Sequence, residues 1–129
     1  MQKKRILIIE DEESLLKLET ILLTVKGYEV SGASTGEQAL IKLASESFDL
    51  ILLDIMLPDI DGFEICRKIK GISRNAHVPV VMLTARKSPE DKERGVAAGA
   101  SAYLTKPFKS AVIIGVIEDL LATSNEAHS

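Results

Sequence analysis

Five residues of this chain could do chemistry together: Glu10, Asp11, Asp54, Thr84 and Lys106. Asp54 is the oddest, because the aliphatic run LILL (50–53) leads straight into its carboxylate. An acid at the edge of a core needs a partner or must be neutralised. Glu10-Asp11 closes the run RILII in the same way, Thr84 closes VPVVML, and Lys106 follows AYLT. Acids held close together raise one another's pKa through like-charge repulsion. A hard divalent cation removes that cost; Mg2+ takes oxygen ligands and keeps several waters, and Mn2+ accepts the same donors. Lys106 adds a positive charge and Thr84 a hydroxyl donor. Such a set suits a doubly charged tetrahedral group beside a carboxylate oxygen. Phosphoryl transfer asks for little beyond in-line positioning and charge neutralisation, with Asp54 as nucleophile.

These residues converge only if the chain brings its strand ends to one edge. Five short aliphatic runs are read as strands at 5–9, 28–32, 50–53, 78–83 and 102–105. The central ones are almost continuously apolar, the mark of parallel strands covered on both faces. Between them apolar residues recur at helical spacing: Leu15, Leu18, Leu22 and Val25; Ala39, Leu40, Leu43 and Ala44; Phe63, Cys66 and Ile69. A last helix carries Val112, Ile113, Val116, Ile117, Leu120 and Leu121. Thr35 with Gln38 has capping-box spacing, Ser88-Pro89-Glu90-Asp91 offers a helix start, and Gly99 a helix stop. Strict strand–helix alternation implies a parallel sheet with helices on both faces. Ligands of such sheets bind beyond the carboxyl ends of the strands, where the five residues fall.

Composition narrows the alternatives. The chain has 129 residues, 46% hydrophobic and 27% charged, with a net charge of −3. That fits one domain at 1–123 followed by a frayed polar tail at 124–129. A nucleic-acid binder of this size would carry clustered basic charge, so direct nucleic-acid binding is not expected. The apolar runs fall far short of the roughly 20 residues that cross a bilayer. The basic start before RILII runs into the acids EDEE, which does not fit a signal peptide. The single cysteine, Cys66, rules out an internal disulfide and points to a reducing, cytoplasmic setting.

Taken in order, IIEDEE, LLDIMLPDIDG, VVMLTA and YLTKPF resemble the motifs of response regulator receiver domains, the phosphoacceptor modules of bacterial two-component signalling. The resemblance spans roughly residues 4 to 121. It implies a flavodoxin-like (βα)5 sandwich with strand order 2-1-3-4-5. It also implies that Asp54 accepts a phosphoryl group from a sensor histidine kinase or phosphotransfer protein. Glu10, Asp11, Asp54 and the Met56 carbonyl would surround Mg2+, with Glu10 acting through water. Thr84 would follow the phosphoryl group and Lys106 would pair with it. Tyr103 would be the switching aromatic, and the Lys106–Pro107 peptide would be cis. Met56 and Arg86 hold the positions that gate the attacking water, and their bulk implies slow self-dephosphorylation. The helix 4–strand 5–helix 5 face would carry the signal to a partner, an output domain or a phosphorylation-dependent homodimer.

Some features depart from the pattern. The last helix, FKSAVIIGVIEDLL, lacks the arginines of many dimerising relatives and holds Ile114 and Gly115 in an apolar stretch. An exposed Ile114 would make it a docking surface; alternatively both residues face the fourth helix, with close packing there accounting for the glycine. The chain is expected to be either a complete single-domain regulator or an excised receiver. Aspartyl phosphatases place a second acid two residues past the nucleophile, where Met56 stands here. A purely structural receiver-like module that is never phosphorylated would be free to lose Asp11, Asp54 or Lys106, yet all are present. Neither GxxxxGK[ST] nor GxGxxG occurs, which argues against a nucleotide-binding fold.

Overall fold

The structure is a computed structural model that describes residues 3–72 and 75–128, with side chains through 123. Strands and helices alternate as β1 (Arg5–Ile9), α1 (Glu13–Val25), β2 (Glu29–Ala33), α2 (Gly36–Ser45), β3 (Leu50–Leu53), α3 (Gly62–Gly71), β4 (Val80–Thr84), α4 (Pro89–Ala97), β5 (Ala102–Thr105) and α5 (Ser110–His128). All strand pairs are parallel, in the order β2-β1-β3-β4-β5. This is the flavodoxin-like order, with its switch point between β1 and β3.

Side-chain alternation along each strand divides the core between the two sheet faces. Leu7, Ile9, Ile51, Leu53, Val80 and Met82 pack with Ala39 and Leu43 of α2 and Phe63, Ile65, Cys66 and Ile69 of α3. Ile6, Ile8, Leu50, Leu52, Val81 and Leu83 pack with Leu23 of α1 and Ile113, Ile114, Ile117 and Leu121 of α5. Each aliphatic side chain buried this way contributes roughly 1.5–3 kcal/mol. That rigidity holds the strand ends in place.

Several boundaries and faces differ from the sequence reading. β2 starts at Glu29 because Gly27 (φ 97°) and Tyr28 close α1: the Gly27 N–H bonds to the Thr24 carbonyl and the Tyr28 N–H to Leu23. That pairing is a Schellman stop. α4 ends the same way at Gly99 (φ 104°), whose neighbour Ala100 donates back to the Gly95 carbonyl. β4 starts after Pro79, which offers only its carbonyl, taken by the Ile51 N–H. On α1, Leu22 packs partly buried against the core as expected, but Leu18 and Val25 are exposed, and Leu16, Glu19 and Leu23 complete the inward face. The helix is apolar around most of its girth, so periodicity alone does not select its face. Gly32 of β2 decides it: a Cβ there would lie 3.2 Å from Leu16, so the glycine makes room for that side chain.

The Thr35 hydroxyl caps α2 as expected, but the Gln38 amide reaches back to Ser34 instead. On the α2 face, Ala44 is exposed. Helix α5 runs from Ser110 to His128. Ile114 is buried against the sheet with the α1-side core, so it is neither a sticky patch nor a contact to α4. Close packing does not explain Gly115, since a Cβ there would meet no atom within 4 Å.

The two glycines should respond oppositely to alanine. At Gly62 a Cβ would collide with the Ile55 backbone, which also accepts the Gly62 N–H at 3.1 Å. Gly62→Ala is therefore expected to cost about 3 kcal/mol or more, the range of forced overpacking. Gly115→Ala should stabilise by about 1 kcal/mol through helix propensity. Urea unfolding of the two variants checks both signs.

Candidate functional site

The acidic site is assembled from strand ends. The Asp54 N–H bonds to the Ile9 carbonyl at 2.9 Å and the Lys106 N–H to the Thr84 carbonyl at 2.8 Å, which ties the ends of β3 to β1 and of β5 to β4. Lys106 lies between two acids, its Nζ 2.8 Å from Asp54 Oδ2 and 2.9 Å from Glu10 Oε1. The Lys106–Pro107 peptide is cis. Asp54 Oδ1 accepts the Met56 N–H at 3.0 Å, which folds the chain sharply after the strand. Glu10, Asp11 and Asp54 each place a carboxylate oxygen within 4.8 Å of the others. Of the three, Asp11 alone is exposed.

Burial governs the electrostatics here. Removal from water, reinforced by the Asp54 charge, pushes the Glu10 carboxyl up to about 7, although its bond to Lys106 opposes the shift. Burial pulls Lys106 down, but hydrogen bonds to Asp54 and Glu10 outweigh it and leave its pKa raised. The lysine is thus held charged between carboxylates. Removing one member of such a buried set costs ~3–5 kcal/mol, because the remaining charges lose their compensation.

Beside the acids opens a cavity of about 460 Å³ lined by Glu10, Asp11, Glu12, Asp54, Met56, Ala85 and Lys106. Its hard oxygen donors, one of them exposed, fit a divalent cation of the Mg2+ class. The loop below the cavity is braced at two points. Asp59 accepts the Gly36 and Glu37 N–H groups at 2.9 and 3.0 Å, which caps α2 from another element. Asp61 caps α3 through the Phe63 N–H at 2.8 Å. Neither aspartate was singled out in the sequence reading.

The other expected residues are placed unequally. Thr84 is fully buried, and its hydroxyl accepts the Arg86 N–H at 3.4 Å. The Tyr103 hydroxyl donates to the Arg86 carbonyl at 2.8 Å. Met56 is half exposed and lines the cavity, whereas the Arg86 guanidinium turns to Asp91 at 3.5 Å. Glu10 and Asp11 do not cap α1: the cap residue is Glu12, whose side chain takes the Ser14 hydroxyl at 3.4 Å and no backbone N–H of the helix. Glu10 does accept the Glu12 N–H at 3.2 Å.

A residue absent from the sequence reading stands out. Glu19 of α1 is buried, and neither carboxylate oxygen has a hydrogen-bond partner among the described residues. Burial, with added repulsion from Glu10, pushes it up to about 8. The available signal was an acid three residues from Leu16 and four from Leu23, on the stripe that proves to face inward.

An acidic site at the carboxyl ends of the strands of a parallel α/β sheet is what this fold and these strand ends define. The profile of the response regulator receiver domain matches residues 6–118, and the chain belongs to that family. It is 40% identical over 124 residues to the alkaline phosphatase synthesis transcriptional regulatory protein PhoP of Bacillus subtilis, covering 96% of this chain and 51% of that protein. Response regulator PleD of Caulobacter vibrioides is 40% identical over 90% of this chain and 26% of its own length. The chain thus spans about half or less of these relatives. Among solved structures, a CheY-like receiver domain protein from Methanospirillum hungatei superimposes with a TM-score of 0.92 at 32% identity, over 98% of this chain and 99% of that one. Chemotaxis response regulator CheY4 of Vibrio cholerae gives 0.88 at 32% identity, over 92% and 99%. Receiver domains bind Mg2+ at an acidic site, and Glu10, Asp11 and Asp54 form an acidic cluster here. No helix among the described residues is long and apolar enough to cross a membrane.

The raised Glu19 pKa makes a stability prediction. Between its ordinary value of 4.5 and about 8 the folded chain holds this proton more tightly than the unfolded chain. Stability contributed by the neutral acid is therefore lost as pH rises through that window. Glu19→Gln should be nearly neutral at pH 5 and stabilising by ~2–4 kcal/mol at pH 8.5. Denaturant titrations of both proteins without divalent cations read the difference. A gain independent of pH would show that Glu19 is not buried as an acid.

Proposed function

We propose that this chain accepts a phosphoryl group on Asp54 from the phosphohistidine of a sensor histidine kinase or phosphotransfer protein. The observation that carries the reading is Lys106 Nζ held within 2.9 Å of both Asp54 and Glu10 at the mouth of an acidic cavity. In the reaction an Asp54 oxygen attacks phosphorus, the P–N bond breaks, and the imidazole leaves with the bonding pair. The product is an acyl phosphate. Lys106 neutralises charge on the incoming oxygens, and Thr84 supplies a hydroxyl donor once it leaves the Arg86 N–H.

Glu10, Asp11, Asp54 and the Met56 carbonyl would hold Mg2+, or Mn2+ in its place. When bound, the cation offsets the negative charge that phosphoryl oxygens bring to the carboxylates. Hydrolysis of the acyl phosphate needs water to reach phosphorus. Met56 lines the cavity and shields it, whereas Arg86 is engaged by Asp91. Tyr103 then reports the state of the site to the face formed by α4, β5 and α5. An output domain, a separate protein or a second copy reads that face.

Incubation with a small phosphodonor and Mg2+, followed by intact mass measurement, should add one phosphoryl group to wild type and none to Asp54→Asn. Chelation should abolish the adduct. In the same preparation Met56→Ala is expected to shorten the adduct's half-life several-fold. Wild type without a Mg2+-dependent adduct would favour the unphosphorylated interaction module instead.

A further inference from the structure

Helix α4 meets the rest of the molecule in an unusual way. Gly95 is its only buried residue within Pro89–Ala97, while Val96 beside it is 70% exposed. Glycine inside a helix costs about 1 kcal/mol against alanine, so propensity alone would favour a methyl group there. A Cβ on Gly95 would sit 2.9 Å from the Tyr103 ring and 3.0 Å from the sulfur of Met82. Real side chains do not tolerate that approach. The missing methyl is the space that the ring occupies.

The ring's position has consequences at the site. From there its hydroxyl donates to the Arg86 carbonyl at 2.8 Å. Arg86 in turn gives its N–H to the Thr84 hydroxyl and pairs through its guanidinium with Asp91 on α4. Asp91 is held by the Ser88 cap in both directions, N–H to hydroxyl at 3.1 Å and hydroxyl to carboxylate at 2.9 Å. One ring contact thus fixes α4, the β4–α4 loop and the Thr84 hydroxyl together. Tyr103 also pairs with Met82 across the β4–β5 ladder, so the ring sits over the strand that ends in Thr84.

We propose that Gly95 is a positioning residue for the phosphoacceptor site: by lacking a Cβ it admits the Tyr103 ring between α4 and β4, and the ring holds the loop that follows Thr84 and bonds its hydroxyl through the Arg86 N–H. This rests on the reading of Asp54 as phosphoacceptor, because the loop matters only if Thr84 serves a phosphoryl group. Gly95 itself touches no reacting atom. Its effect passes through Tyr103.

The test compares wild type, Gly95→Ala, Tyr103→Phe and the double variant. In unphosphorylated protein, ring-labelled tyrosine gives signals from only two tyrosines, which Tyr28→Phe assigns. Gly95→Ala should shift the Tyr103 ring signals and raise hydrogen exchange at the amides of residues 84–88. Tyr103→Phe should raise the same exchange with Gly95 intact, a result that keeps the proposal open to refutation if the alanine variant folds poorly. Gly95→Ala should lower the maximal rate of phosphoryl uptake roughly threefold without changing the half-saturating phosphodonor concentration, as remote misplacement does. In the Tyr103→Phe background it should cause no further loss. Unmoved Tyr103 signals, or an equal loss of rate in both backgrounds, would overturn the proposal. If wild type takes up no phosphoryl group while the ring and loop still respond, the phosphoacceptor reading fails and the Gly95 packing stands.

Discussion

Lys106 sits between Asp54 and Glu10, and the rest of the molecule is arranged around that placement. A buried carboxylate is expensive in isolation, and two near each other are worse. An ammonium within 2.9 Å of both makes the cluster tolerable inside a stable fold. The same arrangement leaves a cavity lined by acids and Lys106 open to solvent, with the exposed Asp11 among them. Whatever enters must satisfy a positive lysine and several acids together. A dianionic group accompanied by a divalent cation does so.

The scaffold keeps that balance because strand ends move little. Leu50–Leu53 is buried on both faces, so the position of Asp54 follows from core packing. Below the cavity, Asp59 and Asp61 each cap a different helix, which converts the loop after Asp54 into a brace between α2 and α3. On the other side the β4–α4 loop is held chiefly by polar contacts and one aromatic ring. The site therefore has a rigid flank on one side and a lightly held one on the other. Within α4 Gly95 alone is buried, the kind of light packing that goes with low local stability.

Much of this was legible in the sequence because it depends on short-range patterns. Continuous aliphatic runs marked β1, β3 and β4, and the residues just past the strands named the site, since parallel topology brings strand ends together whatever their separation along the chain. What escaped depended on helix rotation and cross-element contacts. The face of α1 was misjudged because leucines surround the helix, and Gly32 settles the matter from another element. Glu19 escaped for the same reason. Ile114 was left between an exposed patch and a contact to the fourth helix because periodicity cannot say how wide a stripe the sheet will cover. Asp59 gave no signal, since it caps a helix that precedes it in the chain.

The central claim is that one carboxylate, chosen by its place beside Lys106, becomes the acyl phosphate. It is tested most directly by locating the modification. After exposure to phosphodonor and Mg2+, hydride reduction of the acyl phosphate converts the modified acid to its alcohol, and peptide fragmentation then reads the position. The account predicts a reduced residue at position 54 and nowhere else. Reduction at Glu10, Asp11 or Glu19, or at no acid at all, would contradict it.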